Sequence, residues 1–175
     1  MIPRSPLEPS ESGLVPASDG WFVLGAREAR WRDGPFGAYT RFEGEAKFPK
    51  LGLNLGVLQP GQPSCMYHGE DEQEDFLVLS GECLVLIEGE EHRLKAWDFV
   101  HCPAWTEHVF VGAGEAPCVL LAAGTRLTDD VLYPVSELAQ SHNAGVQTET
   151  RNPDEAYANA AEDVAVRYQD PWLPS

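Results

Sequence analysis

Short apolar segments, each about five to nine residues long, follow one another between about residues 21 and 125. Such lengths are typical of β-strands, and no helical period of apolar positions links the segments. Turn-forming residues separate them, as in Pro60-Gly61, Ser80-Gly81 and Gly112-Ala113-Gly114. The pattern predicts an all-β sandwich or barrel. The predicted strands are 21–25, 38–42, 51–59, 75–80, 82–88, 91–95, 98–102, 108–112 and 118–124.

The two ends of the chain differ in character from this central region. Residues 1–20 hold four prolines with serines and glutamates between them, which is typical of an arm or a disordered tail. We therefore divide the chain into an N-terminal arm over 1–20, a β-barrel over 21–135 and a C-terminal extension over 136–175.

The C-terminal extension carries the signals of one short helix. Asn152 is a suitable N-cap and Pro153 fits the first helical position, so a helix is predicted over 153–161. Trp172 and Leu173 are apolar residues that an unattached tail would not need. They are predicted to pack against the barrel or against a neighbouring subunit.

The charge of the chain narrows the classes of partner. Acidic residues number 28 against 12 basic ones, which gives a net charge of −16 with neutral histidines. Such a field repels phosphate backbones and anionic lipids, so neither nucleic acid nor a membrane surface is an expected partner. No apolar run approaches the roughly 20 residues that cross a bilayer, and the first residues lack an apolar signal core. These features predict a cytoplasmic protein with four free, mostly buried thiols: Cys65, Cys83, Cys102 and Cys118.

Acidic residues abut an apolar run in the stretch YHGEDEQEDFLVLSGE, residues 67–82. If 64–68 is a strand, His68 faces inward and Glu70 continues the same parity. After a turn, Glu74 opens the next strand on its inner face. Two adjacent antiparallel strands would therefore bring His68, Glu70 and Glu74 together at one end of an apolar interior.

A second segment offers a further ligand. His108 begins an apolar strand over 108–112. Imidazole and carboxylate groups together suit a divalent transition metal, and two histidines with a carboxylate also form the non-haem Fe(II) triad. The apolar residues predicted to line the cavity are Met66, Phe76, Trp105 and Phe110.

The spacing of these residues is similar to that of the cupin superfamily, whose members are double-stranded β-helix (jelly-roll) barrels. The family motifs are G-x5-H-x-H-x3,4-E-x6-G and G-x5-P-x-G-x2-H-x3-N. The corresponding residues, within about 50–125, are Gly61-x6-His68-x-Glu70-x3-Glu74-x6-Gly81 and Trp97-x5-Pro103-x-Trp105-x2-His108-x3-Gly112.

The resemblance implies a jelly-roll cupin barrel that holds one divalent metal ion, Mn, Fe, Zn or Ni. The implied metal ligands are His68, Glu70, Glu74 and His108. The pattern of the whole chain resembles bacterial single-domain cupins of the conserved-barrel type. A fainter similarity, which includes the VLYP segment, is to small cupins labelled sugar-phosphate isomerase-like.

The chain departs from the family pattern at three positions that matter. Glu70 replaces a ligand histidine, so two carboxylates would neutralise a divalent ion and favour harder metals. Trp97 and Trp105 replace the two glycines of the second motif. Because tryptophan adopts a positive φ only at a cost, the turns there are expected to differ from those of the family.

Alternatives remain open for the site. The same residues could form a hydrogen-bonded polar cluster without metal. Glu70 could be a direct ligand, could contact a ligand without binding the metal, or could be a catalytic base. Glu72 is a competing carboxylate, but its place in the turn predicts a solvated side chain. His101 is interpreted as a structural or surface residue, and His92 and His142 as ordinary strand or loop residues.

Three hypotheses follow for function. The first is a metal-dependent enzyme of isomerase or dioxygenase type that acts on a small organic molecule, with Glu70 moving protons. The second is a non-catalytic module that binds or senses a small ligand. The third, weaker, is an interaction or storage role for the acidic surface. A homodimer is expected in each case.

Overall fold

A computed structural model describes residues 1–174 of the chain. The strands within that range are β1 (Leu7–Ser10), β2 (Gly13–Pro16), β3 (Trp31–Asp33), β4 (Ala38–Thr40), β5 (Leu51–Leu58), β6 (Gly69–Glu70), β7 (Glu74–Ser80), β8 (Glu82–Ile87), β9 (Glu90–Lys95), β10 (Phe99–Cys102), β11 (His108–Ala113), β12 (Cys118–Thr125), β13 (Val131–Leu132) and β14 (Val164–Val166). Two short helices, α1 (Glu137–Ser141) and α2 (Pro153–Ala156), lie in the C-terminal extension. No helix of these residues is long and apolar enough to span a bilayer.

Two antiparallel sheets form the body of the protein. The larger has seven strands in the order β10-β7-β12-β5-β4-β3-β14, and the smaller has the order β11-β8-β9. One core cluster draws buried side chains from both sheets, including Phe76 and Val78 of β7, Val85 of β8 and Phe110 of β11. Burial of these alternating apolar positions holds the sheets together. The prediction of an all-β jelly-roll fold is confirmed.

A second core cluster covers part of the larger sheet with residues from both ends of the chain. Trp31 of β3 is fully buried, and its ring centroid lies 5.2 Å from that of Trp172. Leu173 packs against the same cluster. The Trp31 Nε1–H donates to the carbonyl of Ala26 at 2.8 Å, so the buried indole leaves no unpaired donor. The predicted packing of Trp172 and Leu173 against the barrel is therefore confirmed.

Several predicted elements differ from the structure near the chain ends. The arm contains the hairpin β1–β2, and 21–25 is not a strand, because β3 takes the place beside β4 in the sheet. The predicted helix keeps its Asn152 cap but ends at Ala156. Helix α1, capped by the Ser136 side chain, was not predicted.

The segment 64–68 is irregular and not the strand that alternation predicted. The segment runs alongside β11, because the Ser64 and His68 amides donate hydrogen bonds to β11 carbonyls. Amides between these two residues donate instead to the C-terminal extension. Tyr67 N–H donates to the Ala144 carbonyl and Met66 N–H to the Tyr157 hydroxyl. The prediction of free cysteines is confirmed, since all four are unpaired and three of them are buried.

Trp97 and Trp105 adopt the left-handed backbone conformation that glycine would favour. Their φ angles are 76° and 68°. The expectation that these turns would depart from glycine-type geometry is therefore wrong. The chain retains the turns and accepts the strain of a Cβ in this region, about 1–2 kcal/mol per residue. Trp97 is 74% exposed, so this strained residue presents its indole to solvent.

Replacing Trp97 with glycine or with alanine removes the same indole, but only glycine relieves the strain. We expect W97G to have a free energy of unfolding about 1 kcal/mol higher than W97A. Urea unfolding measures this difference, and equal stabilities would contradict a strained turn. Phe99, an exposed residue on strand β10, is the matched control, because alanine should be the more stable variant there.

A buried carboxylate links the segment after β4 to the end of β12. Glu43 accepts a hydrogen bond from Arg126 Nη1 at 2.6 Å and one from the Phe48 amide at 2.8 Å. Burial raises the pKa of Glu43, but these hydrogen bonds and the Arg126 charge outweigh it and hold the pKa below its ordinary value. Lys47 lies 3.7 Å from the same carboxylate.

The lowered pKa of Glu43 makes its contribution to stability dependent on pH. The contribution is present above the ordinary carboxyl value of 4.5 and is lost as pH falls through the lower folded-state pKa. We expect the free energy of unfolding of E43Q to be roughly 2 kcal/mol lower than that of the wild type at pH 7. Below the ordinary carboxyl pKa, E43Q should lose less of this free energy on acidification than the wild type does. Denaturant unfolding from pH 7 to pH 3 measures both effects. The exposed neighbour Glu45 supplies the control E45Q, and an acid response of E43Q identical to that of the wild type would refute the linkage.

Candidate metal centre

Backbone pairing sets two histidines side by side. His68 and His108 form an isolated antiparallel bridge in which each amide donates to the other residue's carbonyl, at 3.2 and 2.8 Å. Directly opposed residues of an antiparallel pair project to the same face. Their imidazole centroids accordingly lie 5.1 Å apart.

Each imidazole is oriented by a backbone carbonyl two residues earlier in the chain. The Nδ1 atom of His68 lies 2.8 Å from the Met66 carbonyl, and that of His108 lies 2.9 Å from the Thr106 carbonyl. A carbonyl can only accept, so Nδ1 carries the proton in both rings. In their neutral form the two rings would therefore direct their Nε2 lone pairs toward a common point, as in a metal-binding histidine whose other nitrogen donates to a carbonyl.

Glu74 supplies a carboxylate at that point. It begins β7 and pairs with Gly124 of β12 and with Cys102 of β10. Its Oε2 lies 3.3 Å from His108 Nε2 and 3.9 Å from His68 Nε2. One ligand atom from each of the three residues lies within 4.8 Å of the other two.

Glu70 lies beside this triad, closer to solvent. Its Oε1 is 3.0 Å from His68 Nε2, and its side chain is 35% exposed, against 18% for Glu74. Strand β6, which carries Glu70, pairs only with the two-residue strand β13. The structure thus brings together all four of the predicted ligands, with Glu70 on the outer side.

The donor set fits a divalent cation. Ligands about 2.1 Å from a tetrahedral metal lie about 3.4 Å apart, close to the separations of Glu74 from the two imidazoles. Each ring already donates through Nδ1, so its Nε2 and the facing carboxylate are two acceptors in contact. Acceptors in contact require a positive charge between them, supplied either by a second ring proton or by a metal ion.

Ionisation of the cluster agrees with that requirement. Burial is the largest influence on His68 and lowers its pKa, but contacts with Cys65, Glu70 and Glu74 outweigh it, so the pKa lies well above its ordinary value. Burial raises the pKa of Glu74, but the His108 hydrogen bond and the charges of both histidines hold it below its ordinary value. The carboxylate is therefore ionised, and the cluster attracts a cation.

Aromatic side chains close the inner side of the triad. The Phe76 ring lies 5.1 Å from the His108 ring and 4.5 Å from the Phe110 ring, and both phenylalanines are buried. Two of the predicted cavity residues therefore pack against the site. An apolar floor excludes water beneath the carboxylate and strengthens its attraction for a cation.

The other two predicted cavity residues lie elsewhere. Met66 lines a cleft of about 580 Å³ with Phe36 and residues of the C-terminal extension. It contributes its carbonyl to the site, as the partner of His68. Trp105 is partly exposed, and its ring lies 5.2 Å below the Arg151 guanidinium. Its amide donates to the Glu70 carbonyl, so the Trp105 backbone supports the position of Glu70.

Two residues next to His68 were missed from the sequence. The Tyr133 ring is buried 5.9 Å from the His68 ring, and the Cys65 Sγ lies 3.6 Å from His68 Nδ1. Burial is the main cause that raises the pKa of Tyr133, which keeps its hydroxyl protonated. Tyr133 belongs to the VLYP segment, the one sequence signal that could have identified it.

The place of Glu72 in the turn had suggested a solvated side chain, but the residue is buried and structural. Its carboxylate accepts hydrogen bonds from the Thr125 hydroxyl and from the amides of Leu127 and Thr128. These donors come from the last residue of β12 and from the chain that follows it, which sequence proximity could not reveal.

The remaining histidines pair with surface carboxylates away from the triad. His101 lies 2.6 Å from Asp75 and is half-exposed, as the surface interpretation predicted. His92 pairs with Glu90, and His142 pairs with Glu91.

Comparisons with known proteins agree with the fold. Residues 54–124 match the family profile of the cupin domain. A Cupin 2 conserved barrel domain protein from Salinispora arenicola is 19% identical, with 62% of this chain and 92% of that chain covered and a TM-score of 0.52. The polyketide cyclase RemF from Streptomyces resistomycificus is 12% identical, with 60% and 79% covered and a TM-score of 0.53.

A sugar phosphate isomerase of the cupin superfamily from Silicibacter pomeroyi is 23% identical, with 67% of this chain and 77% of that chain covered and a TM-score of 0.49. At these identities the solved structures share the fold with this chain. A comparison with curated protein sequences found no match.

Proposed function

We propose that the chain, whose residues 54–124 match the cupin domain, is a metal-dependent enzyme that acts on a small organic molecule. The observation that carries the proposal is the paired orientation of His68 and His108, whose Nδ1 atoms face carbonyls and whose Nε2 atoms face the Glu74 carboxylate. His68, Glu74 and His108 would hold one divalent ion. The oxygen-containing set favours Mn²⁺, Fe²⁺ or Zn²⁺.

The residues around the triad have separate tasks in this proposal. His68, Glu74 and His108 would hold the divalent ion, which would supply Lewis-acid chemistry toward a carbonyl or hydroxyl oxygen of the substrate. Glu70, the most exposed of the four ligand candidates, takes a proton from the substrate and returns it. Phe76 and Phe110 exclude water from the inner side. Proton transfer of this kind is the chemistry of an isomerase.

Metal content tests the triad. Protein purified without chelator is expected to hold about one equivalent of divalent metal, and H68A and H108A are expected to bind it at least 100-fold more weakly. Elemental analysis and competition with a chromogenic chelator measure both quantities. H101A is the matched control, because His101 is a half-exposed histidine paired with Asp75 outside the triad. A folded H68A protein with wild-type metal content would show that the cluster is only a polar network.

Glu70 and Glu74 are expected to differ when each is changed to glutamine. E74Q should lose metal, because it removes the charge shared by both imidazoles. E70Q should keep about one equivalent of metal but lose at least 100-fold in kcat on an active substrate, because the amide cannot accept the proton. Metal loss in E70Q would make Glu70 a fourth ligand and contradict its proton-transfer role. Oxygen consumption by the Fe(II)-loaded protein would indicate dioxygenase chemistry instead.

The partners expected from the sequence remain part of the proposal. A small molecule reaches the triad from the side of Glu70 and Glu74, whose carboxylates are partly exposed. Trp97 and Phe99 are large exposed apolar residues at or beside edge strand β10, and they favour the proposed homodimer. Light scattering of the purified protein measures its mass in solution.

A further inference from the structure

A small cavity beside β3 and β4 concentrates positive charge in a strongly acidic protein. It has a volume of about 90 Å³ and lies apart from the histidine triad. Of the chain's 12 lysine and arginine residues, four line this cavity, with a single carboxylate. The four cationic residues are Arg30, Arg32, Arg41 and Lys47.

Strand alternation explains why these side chains converge. Trp31 and Ala38 face the buried core, so Arg32 and its cross-strand partner Tyr39 face the opposite side. Arg41 shares the parity of Tyr39, and its guanidinium lies 5.2 Å from the centre of the Tyr39 ring. Arg32 and Arg41 therefore project to the same side of the sheet, and Arg30, two residues before Arg32, shares its parity.

Two of the cations lack a carboxylate partner. Arg32 is neutralised by Asp163 through two hydrogen bonds of 2.9 Å. Among residues 1–174, however, no carboxylate lies within ion-pairing distance of Arg30 or Arg41. Arg30 donates only to the Glu43 backbone carbonyl, at 3.3 Å. The chain has 28 acidic residues, so two neighbouring guanidinium groups without one are unusual for it.

The single carboxylate of the cavity is already occupied. Both Glu43 oxygens accept hydrogen bonds from Arg126, at 2.6 and 3.4 Å, and Arg126 does not line the cavity. The Phe48 amide is a further donor to Glu43. The positive charge of Arg30 and Arg41 therefore remains available to a ligand.

We propose that this cavity binds a small tetrahedral oxyanion, a phosphate or sulfate group. Its volume equals that of about three water molecules, which suits one such group and excludes a nucleotide. Arginine forks match the oxygens of these anions, and the charge of a dianion balances Arg30 and Arg41. Because the rest of the protein is acidic, affinity depends on short-range contacts and falls with ionic strength.

Titration calorimetry with inorganic phosphate at constant ionic strength tests the site. We expect saturable binding with one phosphate per chain, and at least tenfold weaker binding in R30Q and in R41Q. R93Q makes the same charge change at a distance, where Arg93 pairs with Glu82 on the smaller sheet. It should bind phosphate as the wild type does.

Three outcomes would overturn the proposal, provided that circular dichroism shows the variants to be folded. They are the absence of saturable phosphate binding, unchanged binding in the R30Q/R41Q double variant, and acetate binding as tight as phosphate binding. Sulfate and methyl phosphate form the remaining arms. Binding of methyl phosphate would assign the site to a phosphoester group, and its exclusion would assign the site to the free anion.

Discussion

The candidate centre depends on one constraint, which is that hydrogen-bond acceptors in contact need a positive charge between them. The bridge between His68 and His108 fixes the two rings side by side, and backbone carbonyls occupy both Nδ1 positions. The Nε2 atoms then meet the carboxylate of Glu74 over an apolar floor. In water such a cluster would be solvated, but here the two phenylalanines confine it. This end of the barrel therefore requires a positive charge, which either a second ring proton or a metal ion can supply.

The two charged regions of the protein use the same logic with opposite sign. At the triad, carboxylates and lone pairs converge, so a positive charge is needed to balance them. At the cavity beside β3 and β4, guanidinium groups converge, so a negative charge would balance them. Glu43 pairs with Arg126, so its carboxylate does not neutralise Arg30 and Arg41 in the second region. The net charge of −16 conceals this division, since it averages over both regions.

Strand parity made Glu74 and His108 predictable, because alternation depends only on local sequence. Each of them begins an apolar strand, so its inward direction follows from its neighbours, whereas His68 was indicated by its spacing in the cupin-like motif. The path of 64–68 was not predictable, since Ala144 and Tyr157 of the distant C-terminal extension take its amides. The cavity beside β3 and β4 was not predictable either, because β3 has a mostly polar sequence and shows no apolar alternation.

The closing of the larger sheet by β14 and Trp172 has a consequence for biosynthesis. Strand β14 pairs with β3, more than a hundred residues earlier in the chain, and Trp172 covers Trp31. During translation the early strands are therefore made long before the segment that shields their outer face. Until the ribosome releases that segment, the nascent chain presents an uncovered apolar surface, and such surfaces recruit chaperones and promote aggregation. The synthesis of β14 and Trp172 thus decides when this face of the protein is protected from contact with other chains.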